Sequence, residues 1–305
     1  MRPQTPVLSR ILYAAFVVLP LQLSFIACSS SHSNRIVVGS KNFTESLILG
    51  ELIAQQIESH TSLKVERRFY LAGTFICQQA MLSGRIDIYP EYTGTALTAI
   101  LKQQAGHDER AVYQQVKSEY EQRFHLTLGP AFGFNDTFAI EIRGEDARRF
   151  KLETLSQAAA YTPKWRPGFG YEFMERPDGY RGLVASYGLR FAEPPRIMDL
   201  GLLARALQDH QIDLAAGNAT DGLISALDLF VLQDDRHYFP PYEAVPVVRQ
   251  QTIWQHPELI GPLNELAGLI SDKEMQRLNY AVDGQHRDVT QVVHGFLSQA
   301  RDARR

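Results

Sequence analysis

The sequence predicts an α/β protein of two similar lobes, with a ligand site in the cleft between them. An apolar helix-like run leads through a polar turn into a short strand over residues 86–95, and the same order returns over 212–222. Each copy ends in a loop of small and hydrogen-bonding residues, so that Tyr92 corresponds to Asn218 at a constant offset. Ligands of open α/β sheets bind beyond the carboxyl ends of strands, and clefts between domains are frequent pockets. The alternative is chance similarity of two βα units.

The first part of the chain alternates strands and helices. The segment 45–60 has Ile48, Leu52 and Ile57 at the spacing of one helix face, and Thr44 is suited to cap it. The β-α-β-α-β order implies a parallel sheet with right-handed crossovers. The predicted elements are strands over 35–39, 63–70 and 86–89, and helices over 45–60, 73–83, 93–103 and 109–124.

The chain is predicted to cross between lobes twice. The alternating strand over 137–142 is the first crossing, and the Phe-Pro-Pro-Tyr stretch 239–242, whose prolines exclude a central strand, begins the return with 245–249. This assigns 35–136 and 243–305 to lobe one and 137–242 to lobe two. Further helices are predicted over 154–160, 170–175, 181–187 and 200–209, and over 262–270, 272–281 and 288–300, where they pack back on lobe one.

The first 28 residues have the layout of an export signal rather than of a folded element. A basic start with Arg2 and Arg10 precedes a mostly apolar run, and Ile-Ala-Cys28 is followed by a Ser-rich tether over 29–34. A small residue followed by Cys resembles the lipobox of bacterial lipoproteins, although Phe25 stands where Leu is usual. We therefore expect removal of the signal and lipidation of Cys28, which anchors a periplasmic or cell-surface protein to the membrane. The alternative is an uncleaved transmembrane anchor.

Composition excludes several classes of function. Without the first 27 residues, which hold two Arg and no acid, the formal charge of −3 becomes −5, and no basic run indicates nucleic acid. With Cys28 lipidated, Cys77 has no disulfide partner and is expected to be a buried small hydrophobe. We find no metal-spaced His or Cys set, phosphate loop or nucleophile elbow, so neither enzyme, metal nor cofactor is predicted. A catalytic triad assembled only in space is the alternative.

Five residues are candidates for a binding site. Lys41 follows the first strand, where a strand-to-helix turn suits an anion, and Arg176 lies in a turn that can direct a guanidinium inward. Tyr92, Thr95 and Tyr242 lie on the loops described above. The alternatives are a solvated lysine, a surface ion pair of Arg176 with Glu175 or Asp178, and aromatic side chains that serve packing.

Four motifs in this order resemble one family. They are Val38-Gly-Ser-Lys-Asn-Phe-Thr-Glu45, Asp87-Ile-Tyr-Pro-Glu-Tyr-Thr-Gly-Thr95, Glu175-Arg-Pro-Asp-Gly179 and Ala219-Thr-Asp-Gly222. As a set they resemble the substrate-binding proteins of ABC importers for glycine betaine, carnitine, choline and related osmoprotectants, over nearly all of 35–297. The resemblance implies a two-lobed periplasmic-binding-protein fold, type II-like, that closes on its ligand in the cleft. It also implies delivery to an ABC permease with a cytoplasmic ATPase, by a protein expected to be monomeric.

The resemblance implies a site with two parts. A quaternary ammonium donates no hydrogen bond and is held by aromatic faces, whereas a carboxylate needs charge-assisted donors. Carried over by motif, Lys41, Thr95 and Arg176 would hold the carboxylate. The cation cage would consist of Tyr92, Phe138, Asn218 and Tyr242.

Two cage positions depart from the expected tyrosine. Phe138 keeps an aromatic face without the hydroxyl, and Asn218 has no aromatic face, which should weaken ammonium binding by about 1–2 kcal/mol. Asn218 could instead bond to a polar group of a larger betaine such as carnitine or ergothioneine. Asp136 is expected to be an exposed turn cap, with negative charge near the cage as the alternative. We expect a zwitterionic betaine rather than choline, which would leave Lys41 and Arg176 unpaired. A sensor of the same fold and an extracytoplasmic enzyme are the rival functions.

Overall fold

The computed structural model describes residues 34–104 and 106–303, which hold two five-stranded mixed sheets. The expected signal peptide, the lipidated Cys28 and nearly all of the tether lie outside these residues. The first sheet has the order β2-β1-β3-β10-β4, and the second has the order β7-β6-β8-β5-β9. The strands are β1 (Arg35–Gly39), β2 (Lys64–Arg68), β3 (Ile88–Tyr92), β4 (Leu126–Leu128), β5 (Phe138–Arg143), β6 (Pro167–Phe169), β7 (Arg196–Ile197), β8 (Leu214–Asn218), β9 (Leu229–Leu232) and β10 (Ala244–Arg249).

Helices connect and cover both sheets. They are α1 (Thr44–His60), α2 (Thr74–Leu82), α3 (Thr93–Thr95), α4 (Glu109–Phe124), α5 (Gly144–Phe150), α6 (Leu155–Ala158), α7 (Tyr171–Glu175), α8 (Tyr180–Tyr187), α9 (Leu200–Gln208), α10 (Leu223–Ala226), α11 (Gln250–Gln255), α12 (Ile260–Asn264), α13 (Asp272–Asp283) and α14 (Val289–Ala303). The helix α3 continues as a π-helical turn over Ala96–Ile100, and 3₁₀ turns lie at Thr162–Lys164 and Pro257–Leu259.

The two sheets have the same topology. In each sheet, the first three strands in the order are parallel to one another. The fourth strand runs antiparallel to its neighbours, and it is the first strand that follows a crossing between the lobes. The helix–strand pair α2–β3 corresponds to α9–β8 at a constant offset of 126 positions, with the same start and end of each element. The predicted internal similarity is therefore real, and Tyr92 and Asn218 are the last residues of equivalent strands. The prediction that these two residues lie on loops is wrong, because each is the last residue of its strand and the loop or helix begins one position later.

The first lobe is built around α1. Ile48, Leu49, Leu52 and Ile53 of this helix are fully buried, and α12, α13 and α14 pack against it, as predicted. The predicted cap is wrong: the N-cap is the extended Phe43, and the Thr44 hydroxyl instead donates to an oxygen of Asp283 at 2.6 Å.

Most predicted elements differ from the observed ones by a few residues at an end, and two of these differences have a clear structural cause. The strand predicted over 86–89 runs over Ile88–Tyr92, through a proline in a central strand. The pairing of β3 with β1 consists of Val38 with Ile88, and Pro90 lies beyond it. On the other side, Pro90 faces Pro246 of β10. The missing N–H of Pro90 therefore breaks no hydrogen bond of the ladder. The helix predicted over 262–270 ends at Asn264, because the following backbone instead donates to the carbonyls of residues 131 and 132.

The chain crosses between sheets where the sequence predicts. It leaves the first sheet after β4, enters the second at β5, and returns between β9 and β10. The two crossing segments run side by side: Tyr242 N–H donates to Asn135 Oδ1 at 2.8 Å, and Asp136 N–H donates to the Tyr242 carbonyl at 3.1 Å. The lobe boundaries at 136/137 and 242/243 remain predictions within this hinge.

Candidate ligand-binding site

A cavity of about 250 Å³ lies between the two sheets, at the strand ends. The first sheet contributes residues that follow β1 and end β3, and the second contributes residues at the start of β5 and the end of β8. All seven residues that the sequence singles out for ligand contact line this cavity: Lys41, Tyr92, Thr95, Phe138, Arg176, Asn218 and Tyr242. The structure thus brings together every candidate, from positions as far apart along the chain as 41 and 242.

Lys41 is a buried cation with an acidic partner. Its side chain is 3% exposed, which excludes the solvated lysine considered as an alternative. The ammonium forms an ion pair with the buried Glu91 of β3 and lies 4.9 Å from the centre of the Tyr92 ring. Glu91 is its one hydrogen-bond partner in the described chain, so two ammonium hydrogens remain for a ligand.

Arg176 is also buried and paired. Its Nε donates to Asp178 Oδ1 at 2.9 Å, and its Nη1 donates to the Thr95 hydroxyl, in the other lobe, at 2.8 Å. Burial alone would raise the pKa of Asp178, but the adjacent guanidinium outweighs it and holds that pKa below the ordinary value. The considered pair of Arg176 with Asp178 therefore exists, although it lies in the cavity wall rather than at the surface.

The expectation that choline leaves Lys41 and Arg176 unpaired is wrong. A ligand without a carboxylate would not leave Lys41 and Arg176 unpaired, because Glu91 and Asp178 already neutralise them. What a carboxylate can still gain is hydrogen bonds from the unused donors of the two cations.

The aromatic residues are held in place by their neighbours. The Tyr92 hydroxyl donates to Glu45 Oε1 at 2.6 Å, and the Tyr242 hydroxyl donates to Asp178 Oδ2 at 2.6 Å. Phe138 lacks a hydroxyl, but its ring is oriented by rings around it, including an edge contact with Tyr242 at 5.5 Å between centres. Ring packing thus replaces the hydrogen bond that a tyrosine would offer.

Cations and rings are not separated into opposite ends of the cavity. The guanidinium of Arg176 lies 4.9 Å from the centre of the Phe138 ring and 5.7 Å from that of Tyr242. Together with Lys41 over Tyr92, each protein cation faces part of the aromatic set. A bound ammonium would share these rings with the protein's own cations.

Asn218 lies directly opposite Phe138 in the β5–β8 ladder. Its amide has no hydrogen-bond partner among the described residues and lines both this cavity and a neighbouring one of about 320 Å³. Residues 42, 43, 199 and 200 also line both cavities. A tyrosine at this position would add a ring to the wall that the two cavities share.

Two acidic residues of the cavity wall differ from the sequence prediction. Asp136 was expected to be an exposed turn cap, but it is 8% exposed and accepts hydrogen bonds from Thr220, because the two crossings pack around it. Glu172, not considered from the sequence, accepts from the Thr74 N–H of the other lobe at 2.9 Å. Only its place four residues before Arg176, on the short helix that ends just before that residue, could have indicated it.

Neither a cluster of metal-ligand side chains nor an accessible thiol occurs among the described residues. Over 34–104 and 106–303, no group of three His, Cys, Asp or Glu side chains could hold a metal ion. Cys77 is fully buried as predicted, and burial raises the pKa of its thiol to about 12. No helix in this part of the chain is long and apolar enough to span a membrane.

The fold and cavity define a two-lobed binding protein, and comparison with known proteins identifies its family. A family model described as the substrate-binding domain of ABC-type glycine betaine transport systems, OpuAC, matches residues 34–299. The chain belongs to this family.

Relatives and solved structures agree with that assignment. The carnitine transport binding protein OpuCC of Listeria monocytogenes is 36% identical over 94% of this chain and 96% of its own. The Helicobacter pylori protein named ergothioneine transport permease/ergothioneine binding protein EgtU is 33% identical over 93% of this chain, which spans 51% of that protein. A crystal structure of a glycine betaine/carnitine/choline ABC transporter protein is 34% identical, with a TM-score of 0.72 over 87% of this chain and 98% of its own.

Proposed function

We propose that this protein captures a quaternary-ammonium zwitterion outside the cytoplasm and delivers it to an ABC permease. The observation that carries the proposal is the convergence of the three aromatic rings predicted from the sequence and two buried cations on one cavity between the lobes. Rings attract an ammonium that cannot donate hydrogen bonds, and the free donors of Lys41 and Arg176 suit a carboxylate.

The charge balance of the wall also favours a permanent cation. Lys41 and Arg176 are neutralised by their partners, and Glu172 adds a further carboxylate. Lys41 and Arg176 hold the pKa of Glu172 below its ordinary value although burial alone would raise it, so this carboxylate is ionised. Asp136 and Asp199 also line the cavity, so carboxyl groups outnumber cations in its wall, which suits the ammonium of a zwitterion.

A calorimetric titration with glycine betaine tests the proposal. We expect binding at micromolar strength or better, and weaker binding of choline, because choline cannot use the free donors. Tyr242→Leu should weaken binding, whereas Trp254→Leu, at an exposed aromatic outside the cavity, should leave it unchanged. Equal affinity for choline would contradict the role given to the carboxylate, and no heat with any betaine would contradict the ligand class.

A larger betaine is the second candidate ligand. The unpartnered amide of Asn218, at the junction of two cavities, offers space and hydrogen bonds to a betaine with an additional polar group. Carnitine and ergothioneine have such groups. Displacement of glycine betaine by either compound, at concentrations below that of the betaine, would identify the larger ligand as the preferred one.

We further propose that lipidation of Cys28 anchors the protein to the membrane. The support is the lipobox-like sequence followed by a polar tether. Cys28→Ala should release the protein into the soluble fraction and abolish labelling by a fatty-acid probe. Uptake of labelled betaine by cells with and without the protein would separate transport from the rival role of a sensor.

A further inference from the structure

Two buried carboxyls meet where the lobes touch. Glu45 lies at the start of α1 in the first lobe, Asp136 lies in the first crossing, and Thr220 follows β8 in the second lobe. The Thr220 hydroxyl is within hydrogen-bond distance of Glu45 Oε2 and, at 2.9 Å, of Asp136 Oδ1. Asn279 of α13 donates to the same Glu45 oxygen at 3.1 Å and to the Thr220 carbonyl at 2.9 Å. This contact ties the second lobe to the first.

The charges around this contact do not favour two ionised carboxylates. Within the described residues, no Lys, Arg or His forms an ion pair with Glu45 or Asp136, and both are over nine-tenths buried. The other donors to Glu45, Tyr92 and Asn279, are neutral. A hydroxyl carries one hydrogen, so two acceptor-only carboxylates would compete for it, whereas one protonated carboxyl completes the set.

The groups that face the contact from neighbouring elements do not offset the two acids. On the β3 side, Lys41 lies over the Tyr92 ring but is paired with Glu91. The cavity beside Glu45 is lined by three further acids, Asp199, Asp221 and Asp283, and by no Lys or Arg. Burial raises the pKa of Asp283, although the Thr44 hydroxyl and the nearby His286 oppose the rise.

We propose that closure of the lobes takes up one proton, which Glu45 and Asp136 share at the Thr220 hydroxyl. When the lobes part, Thr220 leaves α1, water reaches the two carboxyls, and both ionise. Closure therefore couples ligand capture to pH, a property that the ligand-binding role does not require.

The direction of the pH dependence follows from the two states. Burial raises the pKa of Glu45, and burial with the charge of Glu45 raises that of Asp136 well above its ordinary value. In the open state both should titrate near the ordinary pKa of about 4. Above that pH the open state releases protons that the closed state retains, so the closed state loses stability relative to the open one as pH rises. The loss is at most about tenfold per pH unit for one proton, and it ends at the raised pKa.

Two measurements on the full chain in detergent test this inference. Small-angle scattering without ligand should show a smaller radius of gyration at about pH 5.5 than at about pH 8. Calorimetry with glycine betaine, in two buffers of different ionisation enthalpy, should show uptake of about one proton on binding. The second measurement rests on the proposed function. The scattering measurement uses no ligand and does not rest on it. If the protein does not bind betaine, scattering alone still tests whether closure depends on pH.

Matched variants identify the carboxyls. Glu45→Gln and Asp136→Asn should each abolish proton uptake and flatten the pH dependence of scattering, and either one suffices if the other does not fold. Glu141→Gln is the control, because Glu141 is equally buried but lies wholly within the second lobe against Gly217. Its loss should change neither readout. A radius of gyration independent of pH, or unchanged uptake in both variants, would overturn the inference.

Discussion

Asn218 is the residue at which this chain departs furthest from the cage that its motifs imply. Asn218→Tyr should add an aromatic face opposite Phe138 and strengthen glycine betaine binding about 5- to 30-fold. The same ring should narrow the passage to the neighbouring cavity and weaken a larger betaine such as carnitine. Calorimetry with both ligands checks this, with Phe138→Tyr as a control that adds a hydroxyl but no ring. Weaker binding of both ligands would show that the amide itself contacts them.

Asp178 is the residue that keeps Arg176 neutralised inside the wall. Asp178→Asn should destabilise the protein by about 3 kcal/mol, because it leaves the buried guanidinium with only the more distant Glu172 carboxylate, at 3.6 Å. Glycine betaine should restore more of the lost stability than choline, since its carboxylate can pair with the exposed donors.

Thermal unfolding with each ligand checks the Asp178 prediction. The matched control is Asp228→Asn, which removes the carboxylate of a fully exposed pair with Arg148 and should leave the unfolding temperature nearly unchanged. Equal rescue by choline and betaine would show that Arg176 does not reach the ligand's carboxylate.

At the scale of elements, the start of α2 lies close to α7 across the cleft because Gly73, at the N-cap of α2, has no side chain. A Cβ added at Gly73 would lie 2.2 Å from Glu172 Oε2, so this carboxylate would have to move away from the Thr74 N–H. Gly73→Ala should therefore weaken closure by about 1.5 kcal/mol and ligand affinity about tenfold.

The measurement for Gly73→Ala is the ligand dissociation constant together with the unfolding temperature of the free protein. Gly73 has a backbone conformation open to other residues, with φ of −84°, so the free protein should keep its stability. Gly261→Ala, where an added Cβ meets no atom within 4 Å, is the control. Unchanged affinity would show that the two helices need not approach this closely for binding.

Elements with strong local signals could be predicted from the sequence, and those defined by pairing could not. The α2–β3 and α9–β8 units follow from repeated apolar runs and turns, and the structure places them at one constant offset. Short strands such as β4, β6 and β7 have two or three residues each, and they exist only because a neighbouring strand accepts them. The β-propensity of such short segments is therefore too weak a signal to predict these strands.

The candidate site shows the same division. Motifs indicated the seven residues that line the cavity, but not the acids that hold them. Glu91 stands inside a quoted motif without any assigned role, and the sequence suggested Asp178 only as a surface partner of Arg176, because their buried pairing depends on which side chains the fold brings together. Glu45 lies on α1 of the first lobe, and Glu172 lies on α7 of the second lobe. Spacing along the chain does not indicate that these two side chains reach the site.

At the scale of the whole molecule, two lobes of equal topology are joined by paired crossings and by contacts across the cleft. A ligand that contacts both lobes adds to these contacts, so it should stabilise the described chain as one unit. Glycine betaine at about 100 times its dissociation constant should contribute about 2.7 kcal/mol, which for a chain of this size is a rise of about 5 °C in unfolding temperature.

Calorimetric unfolding with and without betaine measures that rise, and scattering on the same samples should show a smaller radius of gyration with ligand. We expect a single transition that moves as a whole, because Arg176 with Thr95 and Glu172 with Thr74 link the lobes in the closed state. Two transitions of which betaine moves only one would place the ligand within one lobe. A Tyr242→Leu variant, with weakened binding, should show a smaller rise and less compaction at the same betaine concentration, since the ring at the hinge is part of the ligand's wall.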